Sequence, residues 1–377
     1  MKIGVTCYPV AGGSGIVATE LGQMLAGRGH QVHFISYAIP FRLDRFQENL
    51  FFHGVETTAY PLFKHPPYAL TLAAKMADVA CQYELEILHV HYAIPHATSA
   101  FLARQLVTGC RPPKIITTLH GTDITLVGSD PSFFDITRFS IEASDGITAV
   151  SNYLADETQE IFKLDKPIKV IHNFFDSGRF RPQADEGCRR RNFAADDELI
   201  ISHLSNFRPV KRTMDVIDIF EKISSRLPAR LLLIGEGPDT TLVRRRLVKK
   251  GLADRVQFLG NQSRVEAILP LSDLFLFPSE EESFGLAALE ALACGVPVIG
   301  TRETGLVEVI DHDVNGFLFP VGATESMAGA AIELLTDEPR LAEFREAAHR
   351  AAYKKFNADK IVTEYENYYR EILNGKA

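Results

Sequence analysis

Short apolar runs punctuate the chain, and most of them end in a polar or glycine turn that opens a helical pattern. Lys2 to Cys7 reads as a buried strand, followed by the turn Ala11-Gly12-Gly13-Ser14-Gly15 and a helix from Ile16 to Arg28. Further strands are predicted at Gln31 to Tyr37, Phe51 to Ala59, Ile87 to His91, Lys114 to Leu119, Gly146 to Val150 and Lys169 to His172. Helices are predicted at Tyr68 to Gln82, Ala97 to Gln105, Phe133 to Ser144 and, behind a Ser151 cap, Asn152 to Phe162. From Asn173 to Asp197 the periodicity stops, and this stretch reads as a linker; its Arg189-Arg190-Arg191 run reads as a solvated segment.

Then the pattern restarts. Strands are expected at Leu199 to Leu204, Arg230 to Ile234, Val256 to Leu259, Leu274 to Phe277, Val296 to Gly300 and Gly316 to Phe319. Helices are expected at Met214 to Leu227, Thr240 to Lys250, Val265 to Leu269, Glu325 to Thr336, Pro339 to Lys354 and Ala358 to Leu373. Strands alternating with helices on both sides of a linker predict an α/β protein of two Rossmann-like, doubly wound domains facing across a cleft that holds the ligand.

The densest chemistry lies in Phe277 to Gly300, FPSEEESFGLAALEALACGVPVIG, where Glu282 and Glu290 are seven residues apart in the E-x7-E sense. A helix starting near Ser283 or Phe284, with serine as the cap, would put Glu282 at its mouth and Glu290 about two turns in. Free amides and the positive end of the helix dipole at such a mouth suit a phosphate. Glu290 sits in an apolar run, where a carboxylate is costly to bury without a partner.

Composition narrows the field. The chain has 377 residues, 46% hydrophobic and 23% charged, with a net charge of −8. That argues against a general nucleic-acid binder and against broad attachment to anionic membrane, and no apolar stretch approaches a membrane span. The five cysteines, at 7, 81, 110, 188 and 294, show no CxxC spacing, so neither a disulfide framework nor a zinc site is expected, and the reading is cytoplasmic. His89, His91 and His96 read as pocket-lining or core residues rather than metal ligands, because no acidic or cysteine partner stands at a suitable spacing. Tyr92, Thr118 and His120 follow or end parallel strands, where open α/β sheets bind ligands. The Gly13 to Gly15 turn admits two readings, close approach of a ligand or a tight turn with none. Arg138 stands four residues before Glu142, the spacing of an i,i+4 ion pair.

These motifs carry a resemblance. Glu282-Ser-Phe-Gly-Leu-Ala-Ala-Leu-Glu290, the flanking Ala293-Cys-Gly-Val-Pro-Val298, the SNFRPVKR loop, LLLIGEGP and Asn315-Gly-Phe-Leu together resemble the retaining glycosyltransferases of family 4. The first half, in CYPVAGGSGIVATELG, PFRL, HPPY, LHVHYAIPHA and TTLHGTDITLVGSDPS, resembles the narrower group of N-acetylglucosaminyl-L-malate synthases of bacillithiol biosynthesis. The resemblance implies the GT-B fold: an acceptor domain over 1–175, a UDP-sugar domain over 195–355 with a linker at about 173–197, and a C-terminal helix within 356–377 packing back on the first domain. It implies transfer of N-acetylglucosamine from UDP-N-acetylglucosamine to L-malate, without a cofactor or metal.

It also implies roles. Arg208 and Lys211 would hold the diphosphate, with the amides of Ser283, Phe284, Gly285 and Leu286 beside them. Glu290 would bind the ribose, Glu282 the sugar near its C3 and C4 hydroxyls, and His120 would lie near the C6 hydroxyl. Asn206, Gly260, Asn261 and Gln262 would serve the nucleotide and Gly15 the β-phosphate. Ser14, Tyr92, Thr118 and Arg138 would meet the acceptor. Small-molecule partners alone are implied, with homo-oligomerisation left open. Two rivals remain: another acceptor, such as a lipid or phosphorylated polyol, and a sugar-nucleotide-binding protein without catalysis. One departure stands out, Glu303-Thr304-Gly305-Leu306-Val307-Glu308 where many members have Gly-Gly-x-Pro-Glu, and it puts the local turn in question.

Overall fold

The computed structural model describes residues 1–10, 12–57, 65–183 and 190–375. Ala11 of the glycine turn, positions 58–59 of the expected third strand, Cys188, Arg189 and the rest of 184–189 in the expected linker lie outside the described residues. The chain forms two compact units, Met1–Asn173 with Ala358–Ala377, and Phe174–Asn357.

The first unit is built on seven parallel strands: β1 (Lys2–Thr6), β2 (Gln31–Ser36), β3 (Leu50–Gly54), β4 (Ile87–His91), β5 (Lys114–Leu119), β6 (Gly146–Ala149) and β7 (Lys169–Val170). Their order, β3-β2-β1-β4-β5-β6-β7, reverses direction between β1 and β4. Such a switch point opens a crevice at the carboxyl ends of the strands. The helices are α1 (Gly13–Gly27), α2 (Tyr68–Tyr83), α3 (Thr98–Leu106), a short α4 (Thr122–Thr125), α5 (Phe134–Glu142) and α6 (Asn152–Phe162). Every residue of β4 is buried, as expected of a strand covered on both faces. Ser151 caps α6 as its sequence suggests, its hydroxyl accepting from the Leu154 amide at 3.0 Å.

The second unit has six parallel strands, β8 (Leu199–Leu204), β9 (Ala229–Ile234), β10 (Val256–Gly260), β11 (Leu274–Phe277), β12 (Val298–Thr301) and β13 (Gly316–Phe319), in the order β10-β9-β8-β11-β12-β13. Its helices are α7 (Thr213–Ser224), α8 (Thr240–Lys250), α9 (Leu286–Ala293), α10 (Thr324–Thr336) and α11 (Glu338–Phe356). Its core runs from Ile201 and Phe220 to Leu274, Ile299 and Leu334, all fully buried or nearly so. The segment expected as one helix from Val265 to Leu269 is two 3-10 turns, Val265–Ala267 and Leu269–Leu271, with Pro270 inside the second.

The last helix, α12 (Ala358–Leu373), belongs to the first unit. Glu366 accepts from Arg28 and bonds His30 at the end of α1, and the Tyr368 hydroxyl accepts from the Ile147 amide of β6 at 3.0 Å.

One expectation about cysteine is corrected. Cys81 and Cys110 form a disulfide across 29 residues. Their spacing carries no motif; the pairing of α2 with α3 brings the two Cα atoms to 5.6 Å, within bridging range. Cys7 and Cys294 are buried. Among the described residues, no helix is long and apolar enough to cross a membrane.

Candidate functional site

In the second unit the stretch between β11 and α9 is arranged differently from the sequence reading. The helix begins at Leu286, not at Ser283 or Phe284, and among the described residues no side chain caps it. Gly285 is the cap, at φ +93, and a Cβ there would collide with the Leu306 side chain. Only glycine takes that left-handed position beside a packed leucine without strain. Glu290 therefore lies in the second turn of α9, closer to the mouth than expected, and is 3% exposed. Phe284 is buried edge-on against Phe356 at 5.4 Å. Gly305 donates its amide to the Glu282 carbonyl at 2.7 Å, so the loop carrying the departure from the family pattern is tied to the acidic loop. Where proline is missing, Thr304 caps the 3-10 turn Gly305–Glu308, its hydroxyl accepting from the Leu306 amide at 3.3 Å.

The loop after β8 comes to the same place. Lys211 Nζ meets Glu282 Oε2 at 2.5 Å, with both side chains less than a fifth exposed. The Glu280 amide donates to the Val210 carbonyl at 2.8 Å, which fixes one loop to the other. Arg208, at the cap of the 3-10 turn Pro209–Lys211, is exposed and makes no ion pair among the described residues. A buried histidine braces this loop. His203 Nδ1 donates to the Leu276 carbonyl at 2.8 Å, so its Nε2 must accept from the Ser205 hydroxyl at 2.8 Å; Ser205 Oγ in turn accepts from the Phe207 amide at 3.2 Å. Burial keeps this imidazole neutral, pushing its pKa down to about 4. Sequence reading passed over His203; its signal is a polar residue at an inward position of a buried strand. Asn206 Oδ1 is buried without a partner among the described residues. The Gly260 carbonyl accepts from the Gly235 amide at 2.8 Å, Asn261 is exposed, and Gln262 turns its amide onto the Leu259 carbonyl.

In the first unit, α1 starts at Gly13 behind Gly12. Gly15 is buried, and a Cβ there would stand 2.5 Å from the Tyr8 carbonyl oxygen, whereas one on Gly13 would meet open space. Packing alone thus accounts for Gly15. At the ends of β4 and β5, Tyr92 takes φ +97, stacks on His120 at 5.8 Å and meets Tyr8 edge-on at 5.2 Å. Asp123, unremarked in the sequence beyond its motif, holds this corner. Its fully buried carboxylate accepts from the amides of Ala93 at 2.9 Å, His120 at 3.1 Å and Gly121 at 2.9 Å. Burial pushes its pKa up, against the pull of those amides. An aspartate three residues after a strand-ending histidine is the Asx-turn signal that could have found it.

Thr118 is corrected. Its side chain is fully buried rather than placed at the crevice, bonded to His89 Nε2 at 2.7 Å and Thr148 Oγ1 at 2.6 Å. Tyr369 of α12 closes that network through His89 Nδ1 at 2.7 Å. Arg138 pairs with Glu142 at 3.3 Å along a half-exposed face of α5. The buried histidines are neutral: burial pushes His89 down to about 3 and His96 to about 4, and lowers His91 well below its ordinary value. Among the described residues no three His, Cys, Asp or Glu side chains converge as metal ligands.

Residues 11–179 match the model described as Glycosyltransferase Family 4, and 186–355 that described as Glycosyl transferases group 1. The chain is 48% identical over 380 residues to the N-acetyl-alpha-D-glucosaminyl L-malate synthase of Bacillus anthracis, covering 100% of this chain and 99% of that one. It is 28% identical to an uncharacterized glycosyltransferase of Methanocaldococcus jannaschii, MJ1607, over 98% of each chain. Its fold matches Anabaena HepE in complex with UDP and glucose, with a TM-score of 0.81, 18% identity and coverage of 97% of this chain and 98% of that one. The two parallel α/β domains have the GT-B fold. With both halves matched and the full length aligned at nearly half identity, the chain belongs to glycosyltransferase family 4, in the group that includes the Bacillus anthracis synthase.

Proposed function

We propose that this glycosyltransferase moves N-acetylglucosamine from UDP-N-acetylglucosamine to the hydroxyl of L-malate, in the cytoplasm, with retention at the anomeric carbon. The observation that carries the reading is the 48% identity to the Bacillus anthracis synthase, across 100% of this chain and 99% of that one. In this reading the bond from the sugar C1 to the β-phosphate oxygen breaks, the malate oxygen bonds to C1 on the same face, and the hydroxyl proton passes to the leaving phosphate. UDP and N-acetylglucosaminyl-malate are the products. Such a reaction needs positioning and charge stabilisation rather than a carboxylate pair.

The second unit supplies the donor chemistry. Arg208 and Lys211 take the diphosphate charge in place of a metal. The amides of Ser283 to Leu286 add to that field, and Glu290 holds the ribose. Lys211 and Glu282 already touch, so phosphate charge and sugar hydroxyls are read by adjacent groups on two joined loops. Asn206 and Gly260 to Gln262 serve the nucleotide. The first unit supplies His120 to the sugar, Gly15 and Ser14 to the phosphate or acceptor, and Tyr92 and Arg138 to the malate carboxylates; Thr118 has no part, being enclosed in the core.

The test is UDP release with L-malate, D-malate, citrate and inositol phosphate, each with and without EDTA. Release dependent on L-malate and indifferent to EDTA is expected. Equal release without acceptor, or with unrelated alcohols only, overturns the malate assignment, and loss under EDTA restored by a divalent cation overturns the metal-free one.

A further inference from the structure

The histidines at the ends of β4 and β5 can be assigned proton by proton. His91 Nδ1 lies 2.9 Å from His120 Nε2, so one of these two nitrogens carries the hydrogen and the other accepts it. His91 is fully buried, and its Nε2 has no hydrogen-bond partner among the described residues. If His91 carried its proton on Nε2, an N–H would be stranded in the core; if it carries it on Nδ1, only a lone pair is stranded. Orphaned buried N–H groups are the rarer of the two in native proteins. The Nδ1–H form of His91 also makes it the donor in the bond to His120, whose Nε2 is then the acceptor. A neutral His120 accepting at Nε2 must carry its proton on Nδ1. That nitrogen makes no hydrogen bond among the described residues, and the ring is half-buried, between His91 at 5.1 Å and Tyr92 at 5.8 Å.

His96 Nδ1 donates to the His91 carbonyl at 2.5 Å, which ties the β4 exit to the turn before α3 and holds the His91 backbone in place. The Asp123 carboxylate meanwhile takes the His120 amide at 3.1 Å. With the backbone anchored at both residues and the rings packed on one another, the ring–ring hydrogen bond fixes which nitrogen of each ring carries the proton.

We infer that His91 is a positioning residue that locks His120 as the Nδ1–H tautomer, so that His120 presents a hydrogen-bond donor, and no proton-accepting lone pair, at its free edge. This rests on the proposed transferase reading for what the donor meets, a sugar hydroxyl or a phosphate oxygen; the tautomer itself does not. The lock excludes His120 as the general base for the acceptor hydroxyl and assigns it a neutral donor's part in holding the sugar nucleotide. Burial and the neighbouring His96 keep the ring uncharged, with its pKa pushed down to about 3.

The decisive measurement is long-range 1H–15N NMR of the full chain with labelled histidine, with His120 assigned by its disappearance in His120→Asn. A pyrrole-type Nδ1 and a pyridine-type Nε2 at pH 7 are expected; the reverse overturns the inference. His91→Leu, close in volume but without a donor, should return His120 toward the Nε2–H form and lower kcat about tenfold, with KM for the sugar nucleotide moving less. His91→Asn, whose amide can stand in for Nδ1–H, should recover most of that loss. A His91→Leu protein that keeps the wild-type His120 signals and kcat overturns the lock. Should His91→Leu fail to fold, the wild-type spectrum still decides. Should no turnover be found with malate, the spectra test the tautomer regardless.

Discussion

Lys211 and Glu282 sit 2.5 Å apart and are mostly buried, so neither charge is presented independently of the other. Removing either leaves its partner under-solvated, which costs more than an exposed pair would. Lys211→Ala is expected to lower kcat about 10²- to 10³-fold, the usual cost of losing one preorganised charge donor. Glu282→Ala is expected to act mainly on the sugar. Because the groups touch, the double variant should be milder than the two losses combined, with a coupling of about 1–2 kcal/mol in kcat/KM. Purely additive losses in that cycle would mean that the pair does not persist in the working enzyme. The spacing of Glu282 and Glu290 was legible because seven residues is a property of the chain itself. The start of α9 was not, since serine's capping preference is local, whereas the position of the cap is set by Leu306 packing on Gly285 and by the Gly305 amide on the Glu282 carbonyl. Both come from residues about twenty positions later. Thr118 was misplaced for a similar reason. A strand end says where a residue lies along the sheet, not that Tyr369 of α12 will close over its face through His89.

At the scale of elements, α12 binds the first unit through polar contacts as much as apolar ones. Tyr365, Tyr368 and Tyr369 are buried, and the Tyr368 hydroxyl both accepts from the Ile147 amide and donates to its carbonyl, at 3.0 and 3.3 Å. Glu366 bonds His30 at 2.7 Å and Arg28 at 3.1 Å. Burial alone would raise that carboxyl's pKa, but the bonds from His30 and Arg28 prevail and hold it below its ordinary value. Tyr369→Phe strands His89 Nδ1 and should cost about 1–3 kcal/mol, while Tyr369→Ala also opens a cavity and should cost about 3–5 kcal/mol. Urea midpoints for the two variants check this: equal losses would assign the effect to the hydrogen bond alone, and no loss in Tyr369→Phe would assign it to packing alone. The helix was plain in the sequence from its period. Its membership of the first unit came only with the family resemblance, because nothing in an amphipathic pattern names the surface it covers. The Cys81–Cys110 bond shows the same limit: two lone cysteines become a pair only once α2 and α3 lie side by side.

For the whole molecule, the two units differ in how they should answer acid. In the first, burial lowers the pKa of His33, His53, His89, His91, His96 and His120; in the second, the described histidine lowered in this way is His203. A ring kept neutral in the native state binds its proton later than the same ring in the unfolded chain. As pH falls below about 6.5 the unfolded chain takes up protons that the folded one refuses. Stability is therefore complete above that point and drains away as pH drops toward the native values, about 4 for His33 and His96 and about 3 for His89. Each such ring contributes a slope of up to about 1.4 kcal/mol per pH unit. Carboxyls held low, Glu366 in the first unit and Glu198 and Asp218 in the second, titrate beneath most of this window. Asp123, raised by burial, works the other way, since the native state takes its proton first. Between pH 7 and 5 the histidines should dominate, and the first unit should weaken well before the second. The chain has no tryptophan, so hydrogen exchange read by mass spectrometry is the suitable probe, with peptides from β4 and β5 set against peptides from β8 and β9. Protection should fall in the first pair while it holds in the second. Parallel loss in both pairs would show that the histidines do not set the acid limit of this enzyme.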